Sequence, residues 1–245
     1  MSKSELLKAL RGIEGWLRDE EAWQLHKAAR SLARHEHAPK VVEIGSWKGR
    51  STVALALGLP VGGAGRVFAI DPHTGSREHR VDANAVDTFA GFRANLKRAG
   101  VEDRVTPIRD SSLAARSLFE DATVPLLFVD GSHEYEDVSA DIAAWQTALT
   151  DGAVVAFNDP AWPGVNRALR ESTCRRGSPY REPKVADNTL FCRYRPHACW
   201  GWRDQVAASR LMAFLLVRGW VARHRRNVPP GTIPVLRSVL NRIVR

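Results

Sequence analysis

The sequence is poor in cysteine and lacks a long apolar run. Its three cysteines are odd in number and lack the paired spacing of a metal site, so we expect free thiols in a reducing compartment. No segment reaches the roughly 18 uninterrupted apolar residues of a membrane-spanning helix. Residues 1–16 carry scattered charges where a signal peptide would have an apolar core. These absences predict a cytoplasmic location.

Acidic residues are scarce near the C-terminus. The chain of 245 residues has a formal net charge of +9, and the part from Arg195 onward contains ten arginines against one aspartate, which accounts for the whole excess. Residues 1–194 are therefore balanced in charge, and a general nucleic-acid-binding role is not expected for them. The basic tail leaves open a peripheral contact with a membrane surface.

Apolar runs alternate with helical periodicity in the middle of the chain. Strands are predicted at 40–44, 66–70, 104–108, 125–129 and 153–157, and helices at 86–99, 135–149 and 164–176. A hairpin of strands 183–187 and 189–195 follows. This order is typical of an α/β protein, and we predict a Rossmann-like three-layer sandwich with a mainly parallel sheet and an antiparallel end hairpin.

Helical segments flank this sandwich on both sides. Two short helices are predicted within residues 3–34, and an apolar helix at 205–226 precedes a short basic helix at 235–244. The chain therefore divides into an N-terminal helical cap (1–38), a ligand-binding domain (39–196) and a basic helical C-terminal appendage (197–245). The appendage could pack on the domain or on another subunit, or lie at a lipid interface. We expect a homo-oligomer, with a dimer favoured.

The most informative stretch is residues 43–52, EIGSWKGRST, where the first predicted strand meets a glycine-bearing turn and a helix. Gly45 and Gly49 allow close approach of a ligand to the backbone, and free N–H groups at the helix start can face polar ligand atoms. Glu43, Ser46 and Ser51 complete the candidate binding residues of this turn. The pattern differs from G-x-G-x-x-G, which disfavours a dinucleotide.

Polar residues also follow the other predicted strands. They are Asp71, Asp110 with Ser111, Asp130, and Asn158 with Asp159. In an open parallel sheet, the carboxyl ends of the strands line one crevice where ligands bind. Asp71 ends the second strand, where an acid commonly accepts hydrogen bonds from ribose hydroxyls. The sequence therefore predicts a ligand site at this edge of the sheet.

Four segments carry a resemblance to a known family: EIGSWKGRST, AIDPH, VDGSHEYEDVSADIAAW and GAVVAFNDPAWPGVNRAL. They resemble the class I S-adenosylmethionine-dependent O-methyltransferases. Within that class the sequence is similar to macrocin O-methyltransferase and related sugar-modifying enzymes, and methylmannose-polysaccharide methyltransferases are one candidate. The likeness covers roughly residues 12–195, and D-G-S-H-x-Y is its most distinctive part.

This resemblance implies a role for each residue of the cofactor site. Glu43 would lie near the methionine moiety of S-adenosylmethionine, and Gly45 and Gly49 would flank the cofactor, with Ser46, Ser51 and Asp130 close by. Asp71 would hold the ribose, and Asp110 with Ser111 would border the adenine.

The resemblance also implies a metal site and a base. Asp130, Asn158 and Asp159 would bind Mg²⁺, and His133 would act as general base. Carboxylate and amide oxygens are hard ligands that suit Mg²⁺. Asn158 departs from the family pattern, since an acid is expected there, and an amide weakens the predicted metal affinity.

Plainer interpretations of these residues stay open. Asp130 could cap the following helix, and His133 could be a surface histidine of a first helical turn. The segment Asn158-Asp159-Pro160 could form only a turn, because all three residue types favour turns.

We predict an O-methyltransferase that moves a methyl group from S-adenosylmethionine to a hydroxyl of a sugar or polysaccharide precursor. A sugar hydroxyl hardly ionises at neutral pH, so Mg²⁺ and a neutral histidine would assist the removal of its proton. Small phenolic acceptors are the second class, because metal-dependent catechol-type enzymes share the strand-end acids. One rival is a nucleic-acid-binding protein or RNA methyltransferase, which predicts steeply salt-dependent RNA binding. The other is a non-catalytic cofactor-binding or membrane-associated scaffold, which predicts binding of S-adenosylmethionine without turnover.

Overall fold

The computed structural model of the protein describes residues 1–32, 36–75 and 86–224. Its strands are β1 (Lys40–Ile44), β2 (Arg66–Ile70), β3 (Val105–Ile108), β4 (Val124–Val129), β5 (Leu149–Asn158), β6 (Tyr180–Ala186) and β7 (Thr189–Tyr194). They form one sheet in the order β3-β2-β1-β4-β5-β7-β6. Strands β1 to β5 run parallel, and β7 pairs antiparallel with both β5 and β6.

Helices cover both faces of this sheet. They are α1 (Lys3–Ala9), α2 (Asp19–Leu32), α3 (Arg50–Gly58), α4 (Phe89–Ala99), α5 (Ser112–Ala115), α6 (Tyr135–Trp145), α7 (Pro163–Thr173) and α8 (Trp202–Arg223). Gly100 ends α4 in the left-handed region at φ 65°, where glycine carries no side-chain penalty. The predicted three-layer α/β sandwich is confirmed.

The central strand β4 shows how the layers arise. All six of its residues are buried, which fits a parallel strand covered on both faces. Successive side chains alternate: Leu127 packs with α6, α7 and α8, whereas Phe128 packs with the layer of α1 to α4. The sheet therefore has two cores, one on each side.

Helix α8 belongs to the first of these cores. Its residues Leu211, Phe214 and Leu215 are almost fully buried against the layer that holds α6 and α7. The helix predicted at 205–226 runs from Trp202 to Arg223, and the one predicted at 235–244 lies outside the described residues. None of the described helices combines the length and the apolar content needed to cross a membrane.

Several sequence-based boundaries were wrong: α4 begins at Phe89 instead of residue 86, α7 ends at Thr173 instead of 176, and β6 begins at Tyr180 instead of 183. The largest differences lie around β5. The helix predicted to reach residue 149 ends at Trp145 and is followed by a 3-10 turn at Gln146–Ala148. Strand β5 begins at Leu149, four residues earlier than predicted, because Asp151 and Gly152 continue the strand instead of ending the helix. Gly152 adopts φ 84°, and the pairing of β4 with β5 shifts register nearby.

The strand order reverses between β1 and β4. Chain connections from β1 lead to one side, to β2 and β3, and those from β4 lead to the other side, to β5. Such a reversal opens a crevice beyond the carboxyl ends of the two central strands. The first and fourth strand ends therefore meet at the place where a ligand is expected.

Candidate functional site

A cavity of about 1040 Å³ lies at this edge of the sheet. Its walls come from the segment between α1 and α2, from the turns after β1, β2, β4 and β5, and from the β6–β7 hairpin. The starts of α2, α3 and α5 and part of α6 complete them. The predicted site residues on its wall are Gly45, Ser46, Ser51, Asp71, Ser111, Asp130, His133, Asn158 and Asp159. One crevice therefore collects the polar ends of several strands.

The glycine turn after β1 is held by a carboxylate from β2. Asp71 Oδ2 accepts hydrogen bonds from the backbone N–H groups of Ser46 at 2.9 Å and Trp47 at 2.7 Å, and Oδ1 accepts one from His73 at 2.6 Å. An ionised carboxylate offers about four acceptor positions. Asp71 thus fixes the turn and keeps capacity for a ligand hydroxyl.

Gly45 is required where β1 approaches β4. Its φ is 86°, and a Cβ built there would overlap the carbonyl oxygen of Asp130 and lie 2.8 Å from the Cα of Gly131. No larger residue fits without movement of the backbone. This close contact brings the turn and Asp130 to opposite sides of one narrow gap.

Glu43 lies beneath the turn instead of on the cavity wall. It is fully buried, and the hydroxyls of Thr52 and Ser51 donate to its carboxylate. Burial raises its pKa to about 7, the two hydroxyls oppose that rise, and the charge of Asp71 adds to it. Glu43 therefore links β1 to the first turn of α3.

The centre of the site is a cluster of Asp130, His133 and Asp159. One ligand atom from each lies within 4.8 Å of the others, and His133 Nε2 is 3.2 Å from Asp159 Oδ2. Burial raises the pKa of Asp130 well above its usual value, and the nearby charge of Asp159 raises it further. A cation placed here would relieve this unfavourable pairing of carboxylates.

Asn158 stands between the two carboxylates. Its Nδ2 donates to Asp130 Oδ1 at 2.9 Å and lies 3.5 Å from Asp159 Oδ2, while its Oδ1 accepts from the Thr189 hydroxyl at 2.8 Å. The amide nitrogen thus faces the cluster, and the oxygen that a metal would need faces β7. In this arrangement Asn158 acts as a hydrogen-bond donor to the acids.

Asp159 is positioned from a distance by the β6–β7 hairpin and by α8. Asn188 Nδ2 donates to Asp159 Oδ1, and Arg218 donates in turn to Asn188 Oδ1. The backbone N–H of Asn188 also donates to Glu21 Oε1 at 2.6 Å. Asp159 adopts φ 53°, an uncommon conformation that these contacts hold in place.

His133 is flanked by an aromatic ring. The imidazole stacks on Trp162 with ring centroids 4.4 Å apart and planes 12° from parallel. Helix α7 approaches closely just behind it, because a Cβ on Gly164 would overlap the carbonyl oxygen of His133 and lie 2.5 Å from the Tyr135 nitrogen. The stacking on Trp162 packs against the ring, and the close approach of α7 fixes the backbone that carries it.

The cavity wall is acidic although the protein as a whole is basic. Two arginines, Arg18 and Arg50, stand against seven carboxylates: Glu14, Glu21, Asp71, Asp130, Asp137, Asp141 and Asp159. A cleft lined mainly by one sign of charge concentrates ligands of the other sign. The site favours a cation and disfavours a polyanion.

Some predicted site residues lie outside the cavity. Glu43, Gly49 and Asp110 are not on its wall: Gly49 precedes α3 with φ 86°, and Asp110 is exposed, with its Oδ1 accepting from the Ser111 N–H at 2.7 Å. Their contacts with a cofactor stay predictions. Trp162 and Asn188, which contact His133 and Asp159, were not predicted as site residues. The only signal for Asn188 was that its residue type favours a turn.

The central part of the chain resembles methyltransferase domains in sequence. Residues 42–160 match the family model described as "Methyltransferase domain". The "Uncharacterized protein y4gI" of Sinorhizobium fredii is 30% identical over 149 residues. That match covers 56% of this chain and 15% of that protein, so the chain spans only a small part of its relative's length.

Solved structures share the fold at low sequence identity. Cofactor-bound Rv0187 from MTB has 22% identity and a TM-score of 0.56, over 78% of this chain and 88% of that chain. The O-methyltransferase TomG from Streptomyces achromogenes, solved in complex with SAM, has 19% identity and a TM-score of 0.56, over 79% and 89%. Residues 42–160 are thus similar to methyltransferase domains in sequence, and most of the chain is similar to such enzymes in fold.

Proposed function

We propose that this protein is an S-adenosylmethionine-dependent O-methyltransferase that acts on a hydroxyl of a sugar or polysaccharide precursor. The observation that carries the proposal is that Asp130, His133 and Asp159 converge on the same cavity as the glycine turn. A cradle for a nucleoside-like ligand and a group that can accept a proton therefore line the same cavity.

The turn after β1 fits the methyl donor. Gly45 keeps the backbone open, Asp71 has acceptor capacity for ribose hydroxyls, and the acidic wall suits a positively charged sulfonium. TomG, a structural neighbour, was solved in complex with SAM. When bound, S-adenosylmethionine supplies the methyl group, and the acceptor oxygen bonds to that carbon as the carbon–sulfur bond breaks and S-adenosylhomocysteine forms.

The carboxylate pair fits a divalent cation. Asp130 and Asp159 supply hard oxygen donors. Burial and the charge of Asp159 raise the pKa of Asp130, so a positive charge beside it would stabilise its ionised form. Mg²⁺ bound here would lower the pKa of a nearby acceptor hydroxyl. Asn158 would contribute an oxygen ligand only after its amide turned over.

His133 is the proposed general base. His133 lies on the cavity wall with its Nε2 buried beside Asp159, so this nitrogen reaches an acceptor only after a shift of the ring or of Asp159, and Trp162 stacks on the ring. A neutral imidazole there takes the proton from the acceptor hydroxyl as the oxygen attacks. Asp159 then stabilises the resulting imidazolium by proximity.

The cavity wall supports an uncharged acceptor. Trp162 leaves 44% of its surface exposed next to His133 and offers an apolar face, on which the ring of a sugar or a catechol could lie. The many carboxylates disfavour RNA and other polyanions. Small phenols are therefore the second acceptor class.

An acceptor screen tests the reaction class. Purified protein with labelled S-adenosylmethionine should methylate members of a panel of mono- and oligosaccharides with Mg²⁺, and lose turnover with EDTA. Methylation of catechols alone would replace the sugar assignment. Binding of S-adenosylmethionine without turnover on any acceptor would favour the scaffold, and indifference to EDTA would remove the metal from the mechanism.

The His133→Ala variant separates a base from a metal ligand. We expect a loss of methyl transfer of at least about a hundredfold, as for removal of a general base, with unchanged affinity for S-adenosylmethionine and for Mn²⁺ measured by calorimetry. Asp159→Ala should lose Mn²⁺ affinity as well. Loss of Mn²⁺ binding in His133→Ala would make the imidazole a ligand, and full activity would refute both roles.

A further inference from the structure

Helix α8 carries an exposed apolar stripe on the face opposite to the one buried in the core. The stripe consists of six residues separated alternately by four and three positions: Trp202, Val206, Ser209, Ala213, Leu216 and Trp220, all exposed. This spacing keeps side chains on one helix face and is the repeat by which two helices pack along a shared seam. The stripe is about 27 Å long, since each helical residue rises 1.5 Å.

The stripe is also symmetric about Leu211. Tryptophans stand at its two ends, branched aliphatic residues come next, and the small residues Ser209 and Ala213 flank the centre. There the surface forms a shallow groove of about 330 Å³ lined by Gln205, Val206, Ser209, Arg210 and Ala213. A second helix can approach most closely where the side chains are smallest.

From this symmetry we infer that α8 forms a two-fold dimer interface with a second copy of the chain, with the two helices antiparallel. A two-fold axis near Leu211 places Trp202 against the partner's Trp220 and Val206 against the partner's Leu216. An interface of this kind uses the same patch on both subunits, so the patch must be complementary to itself. The order of residue types along the stripe meets that condition.

The exposed area of the stripe approaches that of a small specific interface. Trp202 is 73% exposed and Trp220 49%. With roughly 250 Å² for a whole tryptophan side chain, these two residues present about 300 Å² per chain, or about 600 Å² for a pair. Leu216, Val206 and their neighbours on both flanks bring the total toward the ~1,200 Å² at which specific interfaces start.

The charge of Arg210 distinguishes a dimer interface from a lipid-binding surface. Arg210 is exposed beside the centre of the stripe, so a two-fold axis places the two arginines on the same side of the interface. Added salt screens their repulsion and should strengthen the dimer. Binding of the same stripe to an anionic lipid surface would instead weaken with salt.

Sedimentation velocity of the full-length protein over a wide concentration range tests the interface. We expect a monomer–dimer equilibrium whose Kd rises at least about tenfold in Val206→Glu and in Leu216→Lys, because each places two charges in an apolar seam. The double variant should recover most of the lost affinity, since the antiparallel register sets each new acid against a new base. Val61→Glu and Leu118→Lys, at exposed apolar residues elsewhere, are the matched controls.

Several results would overturn the inference. The first is a protein that stays monomeric at all concentrations, and the second is a dimer whose Kd does not change in Val206→Glu. The third is a double variant that dimerises no better than the two disruptive single variants, which would exclude the antiparallel register. A monomer that binds phosphatidylglycerol vesicles through this stripe would assign it to lipid. A monomer whose melting temperature falls in Val206→Glu but not in Val61→Glu would show that the stripe is covered within its own chain.

Discussion

Replacing Asn158 by aspartate is a direct test of the candidate metal centre. The side chain keeps its shape, but a donor that faces Asp130 and Asp159 becomes a third carboxylate. In the absence of a cation this change sets like charges against each other. With a divalent cation bound, it adds a negatively charged ligand.

The cost without metal can be worked out from protonation. Ionised carboxylates about 3.5 Å apart repel by about 5 kcal/mol at an effective dielectric constant of 20, so the folded protein would take up a proton instead. Holding a carboxyl of ordinary pKa near 4 protonated at pH 7 costs about 4 kcal/mol. The variant should therefore lose up to about 4 kcal/mol at pH 7, or on the order of 10 °C in melting temperature.

The pH dependence has a definite sign. The pKa of the added carboxyl is raised in the folded state, so the penalty is absent below its unfolded pKa near 4. It grows by about 1.4 kcal/mol per pH unit above that value. The variant and the wild type should thus converge in acid and diverge toward neutral pH.

Calorimetric melting with EDTA and with Mg²⁺ or Mn²⁺ measures both effects. Asn158→Asp should melt below the wild type in EDTA, bind metal at least about tenfold more tightly, and show the larger rise in melting temperature on metal addition. Asn95→Asp is the control, because Asn95 donates to the Lys48 carbonyl at 2.9 Å and lies off the cavity wall. If Asn158→Asp shows neither the loss in EDTA nor a metal-dependent gain, these residues do not form a metal centre.

Three further predictions use other parts of the site. Arg218→Met should weaken Mn²⁺ binding about 10- to 100-fold, because Asn188 loses the contact that holds it against Asp159. Paramagnetic resonance of Mn²⁺ measures the affinity, and unchanged binding would contradict this role of Arg218. Burial raises the pKa of Asp141 to about 6, so its ionised form destabilises the fold above the unfolded pKa near 4. In urea unfolding, Asp141→Asn should stabilise the protein by about 1–3 kcal/mol at pH 8 and by nothing near pH 4. A difference in unfolding free energy that does not change with pH would exclude the ionisation of Asp141 as its cause. Gly45→Ala should destabilise far more than Gly62→Ala, since both have positive φ but only Gly45 meets neighbouring backbone; equal losses would locate the cost in φ alone.

The sequence predicts the sheet and the polar residues that meet at one of its edges well, because both depend on local patterns. Apolar runs define the strands, and in a parallel sheet the residue after each strand has only one edge to occupy. Asp71, Asp130 and Asp159 follow that rule and line the cavity. The boundary of β5 was wrong because Asp151-Gly152 is a turn signal locally, whereas β5 pairs with β4 on both sides of it, at Leu149 and from Val154 onward.

Side-chain partners that are distant in sequence could not be predicted. Asn188 and Arg218 lie 29 and 59 residues after Asp159, and only the packing of β7 and α8 brings them together. The burial of Glu43 was missed for a related reason. Its distance from the cavity depends on the path of the turn, which is set by the hydrogen bonds that Asp71 accepts.

If α8 forms the inferred dimer interface, its two faces connect self-association to the candidate metal centre. One face ends in Arg218, whose contact with Asn188 orients Asp159, and the other carries the apolar stripe. A rigid helix transmits an axial shift along its whole length. If metal binding favours one position of α8, it also changes the dimerisation constant. Because coupling between two binding events is reciprocal, dimerisation then changes the metal affinity by the same factor.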